Sequence, residues 1–478
     1  MSSLTFPSGL YTDYYQFTMA QGYLLAGKAD DTACFDYFFR ENPFEGGYVI
    51  FAGLNDVLEY LEGLKFSDED ISYLKSLGFQ KQFLDYLKKF RFGGSVQSVR
   101  EGEVVFPLEP VVRVEGNMIE TQIIETVLLN LLNFESLIAT KASRVRLAAG
   151  GKRVVDFGLR RAQGLGGFHA SRAAVIGGME ATSNVLSAQQ YDLATTGTQA
   201  HSWIQSFDDE LTAFRKFAEI YPDKCILLVD TYNTLRSGIP NAITVAKELE
   251  SKGQALVGIR LDSGDLAYLS KHARAMLDEA GLHSVKIIAS NQLDEYLIRS
   301  LLQQGAPIDS FGVGTRMITA HDTPALDGVY KLCMADGKPR LKFSENYTKT
   351  TLPGLKSVVR YSERDGLFYA DGIMLENETP IHHIFHPFFP EQRSVVRNYD
   401  FEPLQRNVMK NGRISIKLPT VAESARYAQE RLDHVPPEHK RFENPHVFKV
   451  GISTNLMNLR SQLYEELQRI NMNGGAAS

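Results

Sequence analysis

The sequence predicts an α/β protein, a central α/β barrel with an α+β domain before it and additional structure after it. Two observations carry this reading. From about Lys152 to Gly314, short apolar β-branched runs alternate with amphipathic helical segments, the pattern of repeated βα units around a parallel sheet. Just beyond each run stand Gly and short polar or charged residues: FGLRR, TTGTQAHS, DTYNT, RLDSGD, SNQ and GVGTR. In a barrel all these strand ends open on one mouth, where active sites are built. An open, doubly wound sheet is the alternative that the alternation alone leaves.

Taken in order, residues 1–140 read as the α+β domain. Tyr14–Leu25 is an expected helix, Asp70–Phe90 one or two more, and Gly94–Glu120 a set of short strands with turns between them. The barrel is expected over 141–355. Its strands are Arg153–Phe157, Cys225–Val229, Leu256–Leu261, Val285–Ala289 and Ser310–Val313, with Tyr191–Ala194 as a weaker sixth. The helices between them are Asp208–Ile220, Ala242–Ser251, Asp265–Ala280 and Asp294–Gln304. Hairpins are expected at Val329–Ser344, around Asp336-Gly337, and at Val358–Leu375, around Asp365-Gly366, because Asp-Gly tolerates the positive φ of a tight turn. Residues 356–478 form a C-terminal segment with helices near Val421–Leu432 and Thr454–Ile470, ending in the tail Asn-Gly-Gly-Ala-Ala-Ser.

Composition sets the class. At 478 residues the chain exceeds what one hydrophobic core organises. Hydrophobic residues at 44 % and charged ones at 23 % describe a chain that folds in water. A net charge of −6 argues against nucleic acid as a partner, since phosphate backbones call for a concentrated Lys/Arg surface. No stretch approaches the roughly 20 apolar residues of a membrane helix, and the amino terminus lacks a basic region followed by an apolar one. A cytoplasmic protein is expected. The three cysteines, Cys34, Cys225 and Cys333, sit far apart in apolar runs and read as reduced core residues.

Several strand ends carry chemistry. Gly312-Val313-Gly314-Thr315-Arg316 could cradle a phosphate, because glycines admit an anion close to the backbone and Thr and Arg add donors; a tight βα turn explains the glycines equally well. Arg260-Leu261-Asp262-Ser263-Gly264-Asp265 joins a cation to carboxylates suited to ribose hydroxyls or Mg²⁺–pyrophosphate, although Asp262 or Ser263 could simply cap the following helix. Arg160-Arg161 would put two more charges at the same mouth, which makes sense if an anionic ligand neutralises them. His201, in Gly197-Thr198-Gln199-Ala200-His201-Ser202, is the histidine that this logic puts in the mouth, as nucleophile, acid–base group or structural residue. The run Ile381-His382-His383-Ile384-Phe385-His386 lies between Pro380 and Pro387 with no Cys or HExxH partner, so no dedicated protein metal site is expected.

Together these segments resemble the nicotinate phosphoribosyltransferase family, a type II phosphoribosyltransferase, over most of the chain. The resemblance rests on Tyr11–Gln16, Phe38-Phe39-Arg40 with Asn42-Pro43-Phe44, Asp156–Gln163, Thr182-Ser183-Asn184, Gly197–His201, Ile259–Asp265 and Gly312–Thr315, in that order. It implies an irregular TIM-like α/β barrel, a C-terminal segment partly packed on the N-terminal domain, and a homodimer with shared active sites. It further implies synthesis of nicotinate mononucleotide and pyrophosphate from nicotinate and 5-phosphoribosyl 1-pyrophosphate, with Mg²⁺ and coupled to ATP through a phosphorylated histidine. By the same resemblance Phe157 and Tyr15, the latter from the other subunit, stack the pyridine ring, and Thr198 and Arg260 face its carboxylate. Arg160, Asp230 and Asp262 surround ribose and pyrophosphate, Gly314 and Thr315 hold the 5′-phosphate, and His201 is the phosphohistidine. A nicotinamide-using relative would carry an aspartate in the segment where this chain has Ser183. A non-catalytic barrel that binds a sugar phosphate is the reading from a different class, and the retained His201, Arg260, Asp262 and Thr315 weigh against it.

Overall fold

The computed structural model describes residues 8–342, 350–379 and 381–474. Phe343 and Ser344 of the expected first hairpin, Pro380 and the last four residues of the tail lie outside them. The chain forms two compact units, Met1–Leu137 with Ala325–Ser478, and Ile138–Pro324. The strand Gly328–Ala335 thus belongs to the first unit.

In the first unit the helix Tyr14–Leu25 and the helices Asp68–Ser76 and Lys81–Lys89 form where the sequence predicts helix. Ser67 and Asp70 close a reciprocal capping box on the second of these. The central sheet has seven strands in the order Lys338–Pro339, Gly328–Ala335, Thr32–Phe39, Val112–Asn117, Ser95–Ser98, Arg406–Lys410 and Arg413–Ile414. Every neighbour pair is antiparallel. Asp336 and Gly337 both take positive φ, 50° and 68°, in the tight turn of the first hairpin. A second, mixed sheet contains the hairpin Lys356–Ser362 and Phe368–Leu375, whose turn has Gly366 at φ 87°.

Two of the cysteines meet here. Cys34 and Cys333 lie on paired strands at a register shift, and Cys333 Sγ donates to the Cys34 carbonyl at 3.3 Å. All three cysteines are buried and free. The first unit also buries an ionic cluster. Arg360, fully buried, donates to Asp371 at 2.6 Å, to Glu103 at 2.6 Å and to the Val104 carbonyl at 2.8 Å. His383–Phe385 is a strand, and His386 Nδ1 accepts the backbone N–H groups of Phe388 and Phe389 at 3.1 and 3.2 Å.

The second unit is the α/β barrel. Five parallel strands run in the order Arg153–Asp156, Ser310–Val313, Lys286–Ser290, Gly258–Leu261 and Ile226–Leu228. The expected sixth strand, Tyr191–Ala194, is absent. The helix Val185–Tyr191 takes up its first residue, and Asp192 ends that helix in the left-handed conformation, φ 53°. Sheet continuity on this side is carried instead by single parallel bridges from Asp156 to Thr182 and from Thr182 to Thr195. Between there and Ile226–Leu228 the link is a side chain, Gln199 Nε2 donating to the Ile226 carbonyl at 3.1 Å. The barrel is irregular on that flank because a short helix and a polar loop occupy the place of a full βα unit.

The helices Glu210–Ile220, Ile239–Glu250, Leu266–Glu279 and Glu295–Gln303 alternate with the strands. Asp209, Asp265 and Asp294 cap three of them through their side chains. Among the described residues no helix is long and apolar enough to cross a membrane.

Candidate active site

At the carboxyl ends of the barrel strands lies a cavity of about 500 Å³, lined by Phe157, Leu159, Arg160, Ser183, Gly197–Ala200, Arg260, Asp262 and Ser290. Each wall follows from local chain geometry. The first strand ends at Asp156, whose fully buried carboxylate accepts from Gly158 N at 2.7 Å, Thr182 Oγ1 at 2.7 Å and Ser171 Oγ at 2.9 Å. Burial raises its pKa, and these three hydrogen bonds pull the other way. The carboxylate therefore fixes both the turn that carries Phe157 and the Thr182-Ser183-Asn184 segment opposite it. The Phe157 ring rests on Gly312, where a Cβ would stand 2.4 Å from two ring carbons. Only glycine leaves room for the ring.

The second wall is Arg260. Its Nη1 donates to Thr198 Oγ1 at 2.7 Å and its Nη2 to the Gln199 carbonyl at 2.9 Å. Burial lowers its pKa first, the charges of Asp262 and Asp230 oppose that, and Arg160 adds to it. The guanidinium stays cationic, as arginine does in proteins. Arg160 itself is exposed in the turn Leu159–Arg161.

The floor is acidic. Asp230 Oδ2 accepts from Asp262 N at 2.8 Å and Ser263 Oγ at 2.7 Å. Its other oxygen, Oδ1, is buried with no hydrogen-bond partner among the described residues. Asp262 Oδ1 accepts from Ser290 Oγ, and its Oδ2 lies 3.7 Å from His201 Nε2. His201 Nδ1 is 3.0 Å from Thr231 Oγ1. Aromatic face, paired cations, two carboxylates and an imidazole thus meet at one mouth. Such a set suits an anionic ring with a sugar phosphate beside it.

Family models match almost the whole described length: the nicotinate phosphoribosyltransferase N-terminal domain at residues 10–133, the nicotinate phosphoribosyltransferase family at 152–383, and the C-terminal domain at 355–460. A nicotinate phosphoribosyltransferase of Bacillus subtilis is 44 % identical over 472 residues, covering 96 % of each chain. The chain belongs to the nicotinate phosphoribosyltransferase family. A nicotinate phosphoribosyltransferase of Caenorhabditis elegans is 36 % identical over 94 % of this chain and 92 % of its own. The crystal structure of human nicotinic acid phosphoribosyltransferase superposes with a TM-score of 0.86 at 33 % identity, covering 95 % of this chain and 99 % of the human one.

Against that family background, Phe157, Arg160, Ser183, Thr198, Arg260 and Asp262 line the cavity, and Asp230 and His201 hydrogen-bond or face the residues that do. Gly314 packs on the Phe157 carbonyl, where its Cβ would sit 3.1 Å away, and Thr315 opens the short helix Thr315–Ile318. Arg316, offered by the sequence as a further donor in this loop, is paired with Asp294 at 2.7 Å. Tyr15 lies in the first unit and is half exposed.

Three further residues at or beside this cavity, Ser290, Thr231 and Gln199, have no role predicted from the sequence. Ser290 stands at a strand end, the position that singled out the others, and the next two residues, Asn291 and Gln292, both take positive φ, 81° and 50°. Thr231 and Gln199 stand next to Asp230 and Thr198, but their contacts span 30 and 27 positions of sequence and no local pattern announces them.

Proposed function

We propose that the chain catalyses ATP-stimulated synthesis of nicotinate mononucleotide and pyrophosphate from nicotinate and 5-phosphoribosyl 1-pyrophosphate, the first step of NAD salvage from nicotinate. The observation that carries this is a buried cation beside an aromatic face: Arg260, braced by Thr198 and Gln199, shares one cavity with Phe157 and with Ser183, which brings no carboxylate to repel an acid. Phe157 stacks the ring from one side, and Tyr15 of a second copy covers it in a homodimer with shared sites. Arg160, Gly314 and Thr315 hold phosphate groups.

The pyridine nitrogen attacks the anomeric carbon as pyrophosphate departs, through an oxocarbenium-like state. That nucleophile has no proton to lose, so alignment and stabilisation of the leaving group carry the rate. Asp230, with one buried oxygen unpartnered, and Asp262 form a donor set that fits Mg²⁺ carried in with the pyrophosphate. Bound there, Mg²⁺ would neutralise charge on the leaving group. His201 accepts the γ-phosphoryl group of ATP and couples its hydrolysis to synthesis. The reaction belongs in the cytoplasm.

The test is direct. The protein is incubated with nicotinate or nicotinamide, 5-phosphoribosyl 1-pyrophosphate and Mg²⁺, with and without ATP, and the nucleotide is identified. Nicotinate mononucleotide, formed faster with ATP, is expected; a preference for nicotinamide would overturn the reading. His201→Ala should lose both the acid-labile label from [γ-³²P]ATP and the ATP stimulation, while slow ATP-independent synthesis continues.

A further inference from the structure

We propose that the first unit holds a second, non-catalytic ligand site, and that it takes an adenine nucleotide. Two motifs that the barrel mouth leaves unused meet there: Asn42 of the Asn42-Pro43-Phe44 segment, and His386 of the histidine run. Both line a cavity of about 470 Å³ together with Phe106, Phe448, Arg393 and Lys449, a volume in the range of small-molecule sites. All six residues belong to the first unit.

The cavity exists because a sheet opens. The strand Lys449–Ile452 pairs with Phe368–Leu375 along its whole length, but with His383–Phe385 only at Ile452. Beyond Phe385 the chain leaves the sheet through His386 and Pro387, so Lys449, Val450 and Gly451 have no strand beside them on that edge. Phe106 and Phe448, with ring centroids 3.7 Å apart and planes 11° from parallel, supply an apolar lining.

The polar groups of the cavity are left without work by the fold itself. Asn42 stands at the N-cap of the turn Pro43–Glu45, where asparagine usually caps, yet its side chain makes no cap hydrogen bond. Its Oδ1 is buried with no hydrogen-bond partner among the described residues, a state that costs stability until a donor fills it. An amide presents an acceptor and a donor side by side, and this pair matches N6–H and N7 of adenine. Guanine shows two acceptors on the same edge and cannot satisfy it. His386 adds a donor: its Nδ1 accepts the backbone N–H groups of Phe388 and Phe389, so the proton of the neutral ring is on Nε2.

The charge at this cavity is positive. Arg393, exposed on the strand Arg393–Val395, makes no ion pair among the described residues. Lys449 Nζ lies over the Tyr369 ring at 3.9 Å rather than against an acid. Two cations beside an amide and an apolar wall call for a planar base that carries a phosphate.

The experiment uses the full chain and AMP as the probe. Photolabelling with 2-azidoadenosine 5′-monophosphate and peptide mapping should mark peptides that carry Asn42, residues 386–394 or residues 446–451. Excess AMP should prevent the mark, and GMP should not. The AMP concentration that halves the mark should rise about tenfold in Asn42→Leu and in Arg393→Ala. Protection by adenosine, which lacks the phosphate, should be the same in wild type and Arg393→Ala. Arg393 is exposed, so its replacement keeps the fold, and circular dichroism checks this. None of these readouts depends on turnover. Absence of label, label confined to barrel peptides, equal protection by GMP, or unchanged protection by AMP in both variants would overturn the proposal.

Discussion

Arg260 is where charge and geometry meet most closely. Both outer nitrogens of its fork are engaged by the Thr198–Gln199 loop, so it orders the loop as well as presenting a cation. Charge-assisted hydrogen bonds contribute about 1.5–3 kcal/mol, and Arg260→Ala should lower kcat/KM for nicotinate at least tenfold. Steady-state kinetics with nicotinate as the varied substrate would check this. Ser183→Asp should also disfavour nicotinate, through like-charge repulsion at the same cavity; wild-type kinetics in that variant would mean that nicotinate does not bind beside Ser183. Gly312 makes a different demand. A methyl group there meets the Phe157 ring 2.4 Å away, so Gly312→Ala must shift the ring. The expected outcome is a raised KM for nicotinate with the fold intact by circular dichroism. At this scale the sequence was informative where a residue's position relative to a strand end was enough, as for Arg260, Asp262 and Ser183. It was silent where a role depends on a distant partner, as for Ser290 on Asp262 and Thr231 on His201.

Elements were legible for a related reason. The helix Tyr14–Leu25 forms over the residues expected of it, and the Asp336-Gly337 turn closes the hairpin it suggests. Tyr191–Ala194 misled because so short a segment, Tyr-Asp-Leu-Ala, does not distinguish a strand from a helix end, and the left-handed Asp192 settles it as the latter. The buried ionic cluster of the first unit had no sequence signature, since its members are spread from Glu103 to Arg431.

Within that cluster Glu109 is wholly buried, and burial together with the Asp371 charge pushes its carboxyl well above the usual range. Glu109 therefore keeps a proton when folded that it loses when unfolded. Its contribution to stability is greatest below the unfolded carboxyl value and falls as pH rises from there toward the folded one. Glu109→Gln, which keeps a donor without the titration, should gain stability relative to wild type between about pH 4 and about pH 7. Urea unfolding at the two pH values would show it; a constant difference would mean that Glu109 is ionised in the fold.

At the scale of the molecule, Tyr15 and Arg260 stand in different compact units, and the proposed composite site needs two copies of the chain. Tyr15→Ala and Arg260→Ala subunits, each nearly inactive alone, should regain part of the activity on mixing, because one site in the mixed dimer is then intact. A fully active monomer in sedimentation would sink the shared site. The first unit has a further property. Its central sheet pairs Ser95–Ser98 with Arg406–Lys410, so two lengths of chain separated by the entire barrel complete one core. During synthesis the early strands can pair with one another but leave the ribosome long before their outer partners, Gly328–Ala335 and Arg406–Lys410, exist, whereas the barrel, Ile138–Pro324, is contiguous and can close first. On nascent chains arrested at increasing lengths, protease resistance should therefore appear in the barrel before it appears in the segment that precedes it, and the amino-terminal strands should stay cleavable until the carboxyl-terminal ones emerge.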